Sequence, residues 1–219
     1  LEQHQQADGM LLTTMSGSLN ERALEYSGTI GPYTNLLNGK DISFNSSGQL
    51  GSLKIVGDGL IDSLLEPRSP RLRFDIQGPD IDEVTAMLGT EDLGSGRFML
   101  HAEGGEKDDH YAAAITGEVG DVSLNVTARA VDLLHLGELD LKVAASGPSL
   151  GVFTRTFGIE NWPDKPFNIT SNVKRTGRAL TISDMVLDIG ASRFDLDARL
   201  PNYPDLESGH IGGHLLHDP

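Results

Sequence analysis

The residue types that support metal binding are present in this chain, but few of them share a useful spacing. His210 and His214 lie four residues apart, and two such side chains on a strand share one face, as a pair of metal ligands would. Their Gly-rich surroundings near the end of the sequence favour an exposed segment instead. The histidines His101, His110 and His135 have no common spacing, and solvated single side chains are expected. We therefore predict no metal site.

Residues 103–109, Glu-Gly-Gly-Glu-Lys-Asp-Asp, have the composition of a calcium loop. They lack the ligand spacing of an EF-hand, and an acidic hairpin turn is the simpler interpretation. The segments Gly57-Asp58-Gly59 and Gly94-Ser95-Gly96 do not follow a strand and open a helix, as a phosphate-binding loop does. No serine stands in a triad order, and 32 acidic residues make chance carboxylate pairs certain. We predict no catalytic residue and no cofactor.

Charge and composition exclude several classes of partner. With 17 basic against 32 acidic residues the net charge is −15, which disfavours nucleic acid and anionic membrane surfaces. Cysteine is absent, which excludes thiol chemistry and is typical of an exported bacterial protein without disulfides. No apolar run approaches the ~18 residues of a membrane span. The sequence begins at Leu1 rather than Met, and we expect it to be a piece of a longer protein.

Apolar and polar residues alternate along much of the chain, most clearly over residues 71–77, 122–129, 139–145 and 194–200. This period of two predicts strands with one apolar and one solvated face. The pairs Asn38-Gly39, Gly104-Gly105 and Thr176-Gly177 are predicted to be the turns between such strands. The sequence therefore indicates an all-β, antiparallel fold with many Gly-containing turns.

Two segments interrupt the alternation and predict short helices near 80–89 and 149–158, each preceded by Gly-Pro. The residues Gly78, Pro79 and Phe98 recur in order as Gly147, Pro148 and Phe167, which predicts an internal repeat of one helix and about four strands. The phase of the apolar residues changes within 180–189, so a β-bulge is expected near Ser183-Asp184. Three regions follow: a lead-in at 1–23, partly disordered or derived from added residues, a first repeat region at 24–146, and a partial second repeat at 147–219.

Two short helices are too small to cover the apolar face of so many strands, so the sheet must curl on itself. Repeats that stack side by side extend such a sheet into a trough along one axis. A continuous apolar lining with 5% aromatic residues suits acyl chains better than a flat, rigid ligand. An ordinary closed β-core without a ligand is the alternative.

The segments Gly78-Pro79-Asp80-Ile81 and Gly147-Pro148-Ser149-Leu150, with the runs at 167–169, 180–184 and 189–194, resemble the AsmA family. The resemblance covers roughly residues 24–216, and the proline that follows the last strand of the family pattern is Pro201 here. It implies a periplasmic β-groove of the bridge-type lipid transfer kind, in a parent protein anchored in the inner membrane, that carries phospholipid toward the outer membrane. The family implies no catalytic residues.

The resemblance and the alternation together select ten candidate lining residues, for which plain core is the alternative: Leu72, Phe74, Ile76, Leu124, Val126, Leu139, Leu141, Val143, Phe194 and Leu196. The expected ligand is a phospholipid or another acyl-chain lipid, and exposed repeat ends are expected to permit a homodimer. A structural or protein-interaction module of the cell envelope is the second hypothesis. A carbohydrate-active enzyme is the third, and it would require a polar cleft with convergent carboxylates.

Overall fold

The computed structural model describes residues 2–19, 22–65, 69–80, 96–108, 110–130, 138–155, 161–202 and 209–217. These residues form a single antiparallel sheet of fourteen strands, in which every strand pairs with its neighbours in sequence. Within the same ranges, two short helices, α1 (Tyr33–Asn38) and α2 (Leu150–Arg155), lie between strands. The strands are β1 (Glu2–Gln5), β2 (Leu11–Leu19), β3 (Arg22–Gly31), β4 (Lys40–Leu50), β5 (Leu53–Ser63), β6 (Arg71–Gly78), β7 (Phe98–Lys107), β8 (His110–Val119), β9 (Val122–Ala130), β10 (Glu138–Gly147), β11 (Phe167–Thr176), β12 (Ala179–Ile189), β13 (Ser192–Leu200) and β14 (His210–His217). The predicted all-β antiparallel fold is confirmed.

The strand register places the alternating apolar residues of successive strands on one face of the sheet. Phe74 on β6 pairs with Ala102, which pairs with Ile115, and the row continues to Val126 and Val143. We call this face the inner face, and the opposite one, which carries the intervening polar residues, the outer face. The predicted lead-in at 1–23 contains β1 and β2, and both strands belong to the same sheet as the rest of the chain.

The predicted turn at Thr176-Gly177 is confirmed, Asn38-Gly39 lies in the connection between β3 and β4 but as the end of a helix, and the predicted turn at Gly104-Gly105 is wrong. Gly177 opens a two-residue turn between β11 and β12 with a φ of 59°. Gly39 ends α1 instead, where its N–H donates to the carbonyls of Asn35 and Leu36. Gly104 and Gly105 lie inside β7, and Gly104 sits beneath the ring of Tyr111. The Gly-Gly pattern therefore failed to predict the structure at Gly104, where glycine makes room for the Tyr111 ring and does not form a bend.

The predicted β-bulge is present on β12. Two residues, Ser183 and Asp184, stand opposite Asp197 alone, because Ile182 pairs with Ala198 and Met185 with Leu196. Asp184 adopts a φ of 51°, and its N–H donates to Asp197 Oδ1 at 3.1 Å. The extra residue brings Ile182 and Met185 onto the same face, so the apolar row continues through the bulge.

The internal repeat is visible in equivalent contacts. Phe98 covers Gly78 in the first copy, and Phe167 covers Gly147 in the second. A turn glycine in each copy donates its N–H to the residue before that phenylalanine, Gly120 to the Arg97 carbonyl at 2.7 Å and Gly190 to the Pro166 carbonyl at 2.9 Å. The second predicted helix is α2 within 150–155. The rest of it, and the first predicted helix beyond residue 80, lie outside the described residues.

One end of the inner face is filled by large side chains, and we call it the packed end. Phe98 is 1% exposed and packs with Leu53, while Leu150 of α2 is 2% exposed and packs with Val122 and Phe167. Helix α2 is held there by the strand-end segment before β11, since the Leu150 N–H donates to the Lys165 carbonyl at 2.9 Å. The helix therefore plugs this end of the sheet.

The sheet curves into a trough and is not closed into a barrel. Among the described strands, β1 pairs with β2 alone and β14 with β13 alone. Phe44 on β4 and Val173 on β11 nevertheless line one cavity, although they would lie roughly 34 Å apart in a flat sheet. The chain exposes 14043 Å², against roughly 9,800 Å² for a compact monomer of its mass. The extra surface is that of an open sheet.

Close approach of backbones at Gly117 gives a first prediction. Gly117 lies on the inner face of β8 with a φ of 156°, and a methyl group there would overlap the Met99 carbonyl oxygen and approach Leu100 Cα at 2.9 Å. We expect Gly117→Ala to lower the free energy of unfolding by roughly 2–3 kcal/mol in urea denaturation. Gly17→Ala is the control, because nothing lies within 4 Å of its added methyl group. Equal stability of the two variants would contradict the close approach of β7 and β8 at this position.

Candidate functional site

The ten candidate lining residues all lie on the inner face, and the register joins them into rows across the sheet. Ile76 and Leu124 belong to one row, Phe74, Val126 and Val143 to the next, and Leu72 with Leu141 to a third. Phe194 and Leu196 continue the inner face on β13. All ten, including Leu139, are half-buried rather than buried. Ile76, Leu124 and Phe194 pack against the buried clusters at the packed end, whereas Leu72 and Leu141 line an open cavity. The inner face is therefore part core and part open apolar surface.

A cavity of about 1050 Å³ lies on the inner face toward the end opposite the packed end. We call this the cavity end. Its wall follows the row that contains Leu72 and Leu141, and between these two leucines the row consists of small residues, Gly104, Ala113 and Ala128. Gly104 lies six positions beyond Phe98 along β7, so the cavity lies roughly 20 Å from the packed end. Small side chains in this row leave the space that phenylalanines fill at the packed end.

The last inner row at the cavity end is defined by the register, and we call it the end row. It runs across seven strands through Glu106, Tyr111, Ala130, Leu139, Arg175, Leu180 and Leu200. Four of these residues are apolar, and three, Glu106, Tyr111 and Arg175, carry polar groups, of which Glu106 also lines the cavity. The apolar trough thus ends in a row that carries a carboxylate, a phenol and a guanidinium group.

Tyr111 lies across Gly104, the glycine that lines the cavity. Its hydroxyl and ring occupy the space that a side chain at position 104 would need. Burial raises the pKa of the Tyr111 phenol above its ordinary value of 10.0. The hydroxyl therefore stays protonated at neutral pH and is a hydrogen-bond donor beside the cavity.

Arg175 is half-buried between Leu139 and Leu180, its partners on the two neighbouring strands. Its Nε–H donates to the Gly177 carbonyl at 3.0 Å, which fixes the guanidinium over the turn. It forms no ion pair with a residue that the structure describes.

The outer face is polar and solvated. Lys174 Nζ lies 3.8 Å from Asp140 Oδ1, with both side chains about two-thirds exposed, so this pair contributes little to stability. His101 Nδ1 lies 2.8 Å from Asp75 Oδ1, also on the outer face. The contrast between the two faces fixes the inner one as the candidate ligand surface.

The residues that were considered for metal or phosphate binding are not brought together. His210 and His214 lie on the edge strand β14 and are exposed, and Glu103 and Glu106 fall on strand β7. Gly57-Asp58-Gly59 is part of β5, where Phe74 covers Gly57. His135, Gly94, Ser95 and Asp109 lie outside the described residues. Within the described ranges, no group of three His, Asp or Glu side chains is arranged to hold a metal ion.

The part of the chain that the structure describes also holds no helix long and apolar enough to cross a membrane. Tyr111 and Arg175 were not selected from sequence. Arg175 has the same odd-numbered position on β11 as the inward-facing Ile169 and Val173, and this alternation was the available signal that Arg175 also faces inward. What sequence did not show is that Tyr111 and Arg175 share one row, because this depends on the register of three intervening strand pairs.

The half-buried phenol of Tyr111 gives a second prediction. Because the folded-state pKa of Tyr111 is raised above 10.0, its stabilising contribution is complete below pH 10 and is lost as pH rises through the folded pKa. The measurement is the difference in phenolate absorbance between the wild type and Tyr111→Phe as a function of pH. We expect this difference to titrate with a midpoint above 10.0. The same difference measured in concentrated urea is the control and should titrate at the ordinary value. Coinciding curves in the two conditions would show that Tyr111 is solvated in the folded protein.

Comparison with protein families, with curated proteins and with solved structures gives no match to this chain. The resemblance to the AsmA family therefore stays a prediction from the residues that carry it.

Proposed function

We propose that this chain binds an acyl-chain lipid, and most specifically a phospholipid, along the inner face of the trough. The observation that carries the proposal is the cavity of about 1050 Å³ lined by half-buried aliphatic residues such as Leu72 and Leu141. This volume is at the upper end of the ~300–1,000 Å³ typical of small-molecule sites. The role proposed is non-catalytic.

The inner face supports an elongated apolar ligand better than a compact polar one. From Leu72 to Ala198 the cavity row crosses eight strands with half-buried apolar residues or glycine at every position. Aliphatic side chains follow the bends of an acyl chain, and their transfer from water contributes about 25 cal/mol per Å² buried. A ligand lying along this row would cover side chains that the protein itself leaves half-buried.

In the wider setting, we propose a periplasmic segment of an AsmA-like envelope protein, whose groove passes phospholipid toward the outer membrane. The features that support this are the repeat-built meander and the open trough. The inner-membrane anchor and the transport belong to the parent protein in this proposal. The segment supplies one stretch of apolar lining.

A protein-interaction module is the second candidate, and the exposed edge strands favour it. Leu215 on β14 is 59% exposed, and β1 spans four residues beside the nine of β2. An unpaired edge is a template for strand addition by a partner or by a second copy of the chain.

The test of lipid binding is native mass spectrometry with lipid extraction, on protein purified gently from a bacterial host. We expect co-purified phospholipid in the wild type and a loss of more than about tenfold in Leu72→Asp and Leu141→Asp, because a carboxylate on the apolar wall of the cavity resists desolvation. The control is Asn125→Asp, which adds the same charge on the outer face of β9, away from the cavity, and should retain the lipid. Circular dichroism checks that each variant is folded.

Filling the cavity tests the same proposal without adding charge. Ala128→Leu places a larger apolar side chain in the cavity row, whereas Ala144→Leu places it on the outer face of β10. The first change should reduce bound lipid and the second should not. A folded wild type that carries no lipid and takes up no added phospholipid would favour the interaction module instead.

A further inference from the structure

The distribution of charge on the inner face singles out one residue. Among the described strand residues of β5–β13, only Glu106 and Arg175 bring charge to that face. Both lie at the cavity end, on strands that are four apart in the sheet. Glu106 is exposed and lines the cavity on β7, whereas Arg175 is half-buried between two leucines on β11, one row beyond the cavity-lining Val173. The cation is thus four strands away from the carboxylate and is the charge that the sheet partly buries.

We propose that Arg175 binds the anionic head group, a phosphate or a carboxylate, of an acyl-chain lipid whose apolar part occupies the cavity. This rests on the proposed function. Arg175 lies two residues beyond Val173 on β11, so its backbone is roughly 7 Å from the cavity row. That spacing suits an amphiphile whose charged group directly follows its chain.

The guanidinium is prepared for such a contact. The Nε–H is used by the Gly177 carbonyl at 3.0 Å, which leaves the four N–H groups of the two Nη atoms as donors. A planar arginine with free Nη groups matches the paired oxygens of a carboxylate or a phosphate. It forms no ion pair with any residue that the structure describes, so an anionic ligand would displace no internal partner.

The orientation of the ligand follows from the two ends of the trough. Phe98, Leu150 and Phe167 fill the packed end, where no charged side chain lies among the buried residues that the structure describes. The apolar chain therefore points toward the packed end and the charged group toward Arg175. The competing explanation is that the aliphatic stem of Arg175 merely covers Leu139 and Leu180 while its head stays in water.

The test compares three ligands with the same acyl chain by isothermal titration calorimetry below their micelle concentrations. Lysophosphatidylglycerol carries a phosphate, the fatty acid carries a carboxylate, and the monoacylglycerol is uncharged. We expect the wild type to bind at least one anionic ligand about fivefold tighter than the monoacylglycerol, with the preference falling as salt is added. Which of the two anions is preferred identifies the head group.

Arg175→Gln should abolish this preference and leave the affinity for monoacylglycerol unchanged, which also shows that the variant is folded. Arg175→Lys should retain part of the preference. Arg199→Gln removes the same charge from the outer face at the same end of the sheet and should retain all of it. Because Arg199 lies away from the cavity, Arg199→Gln also separates a local contact from the general field of the protein, which would lower the anion preference in both variants.

The outcomes separate the two proposals. An anion preference that survives Arg175→Gln, or equal affinity of the wild type for all three ligands, would overturn the head-group site and leave the lipid trough standing. A wild type that binds none of the three ligands would overturn the proposed function, and the head-group site with it.

Discussion

Every feature of the trough depends on the register that backbone hydrogen bonds maintain between neighbouring strands. Since side chains alternate between faces with a period of two, a slip of one residue at any strand pair would move the apolar set beyond it to the outer face. Two-residue turns such as the one between Val119 and Val122 fix the register locally. The bulge on β12 has the same effect inside a strand. Ile182 and Met185 would face opposite sides of a regular strand, and the extra residue between them places both on the inner face. The continuous inner rows are the result.

Size complementarity on the inner face then shapes the trough. Phe74 lies over Gly57, Phe98 over Gly78 and Phe167 over Gly147. Each large ring therefore rests on a glycine of the neighbouring strand, where there is no side chain. A concave face has less room per residue than a flat one, and glycines at such positions permit close packing and bending. The same alternation of large and small residues decides where space remains. Phenylalanines close the packed end, and Gly104 with Ala113 leaves the cavity.

Sequence reasoning succeeded where a single strand contains the information. Alternation predicted the strands and their inner residues, and the parity change near Ser183 predicted the bulge. It failed where glycine has two uses, since Gly104 makes room for Tyr111 and Gly39 ends a helix, and both had been assigned to hairpin turns. The cavity and the end row were beyond reach, because they depend on the curvature of the sheet and on register accumulated over several strand pairs.

The most informative property of the inner face is that the described residues give it no second layer. A sheet with one apolar face normally buries it against helices or another sheet, yet among the described residues Leu150 of α2 is the only helical side chain within the buried clusters. Val126, Val143 and Leu141 remain half-buried as a consequence, and part of the available hydrophobic stabilisation is not realised by the chain alone. Under the proposed function, the lipid is that second layer. Its binding free energy would add to the free energy of unfolding, because an unfolded chain has no trough to bind it. A closed β-core would have no such deficit, and an enzyme would need convergent polar groups where this face has aliphatic rows. The incomplete burial is therefore the physical reason to regard the fold as a receptor for an apolar chain.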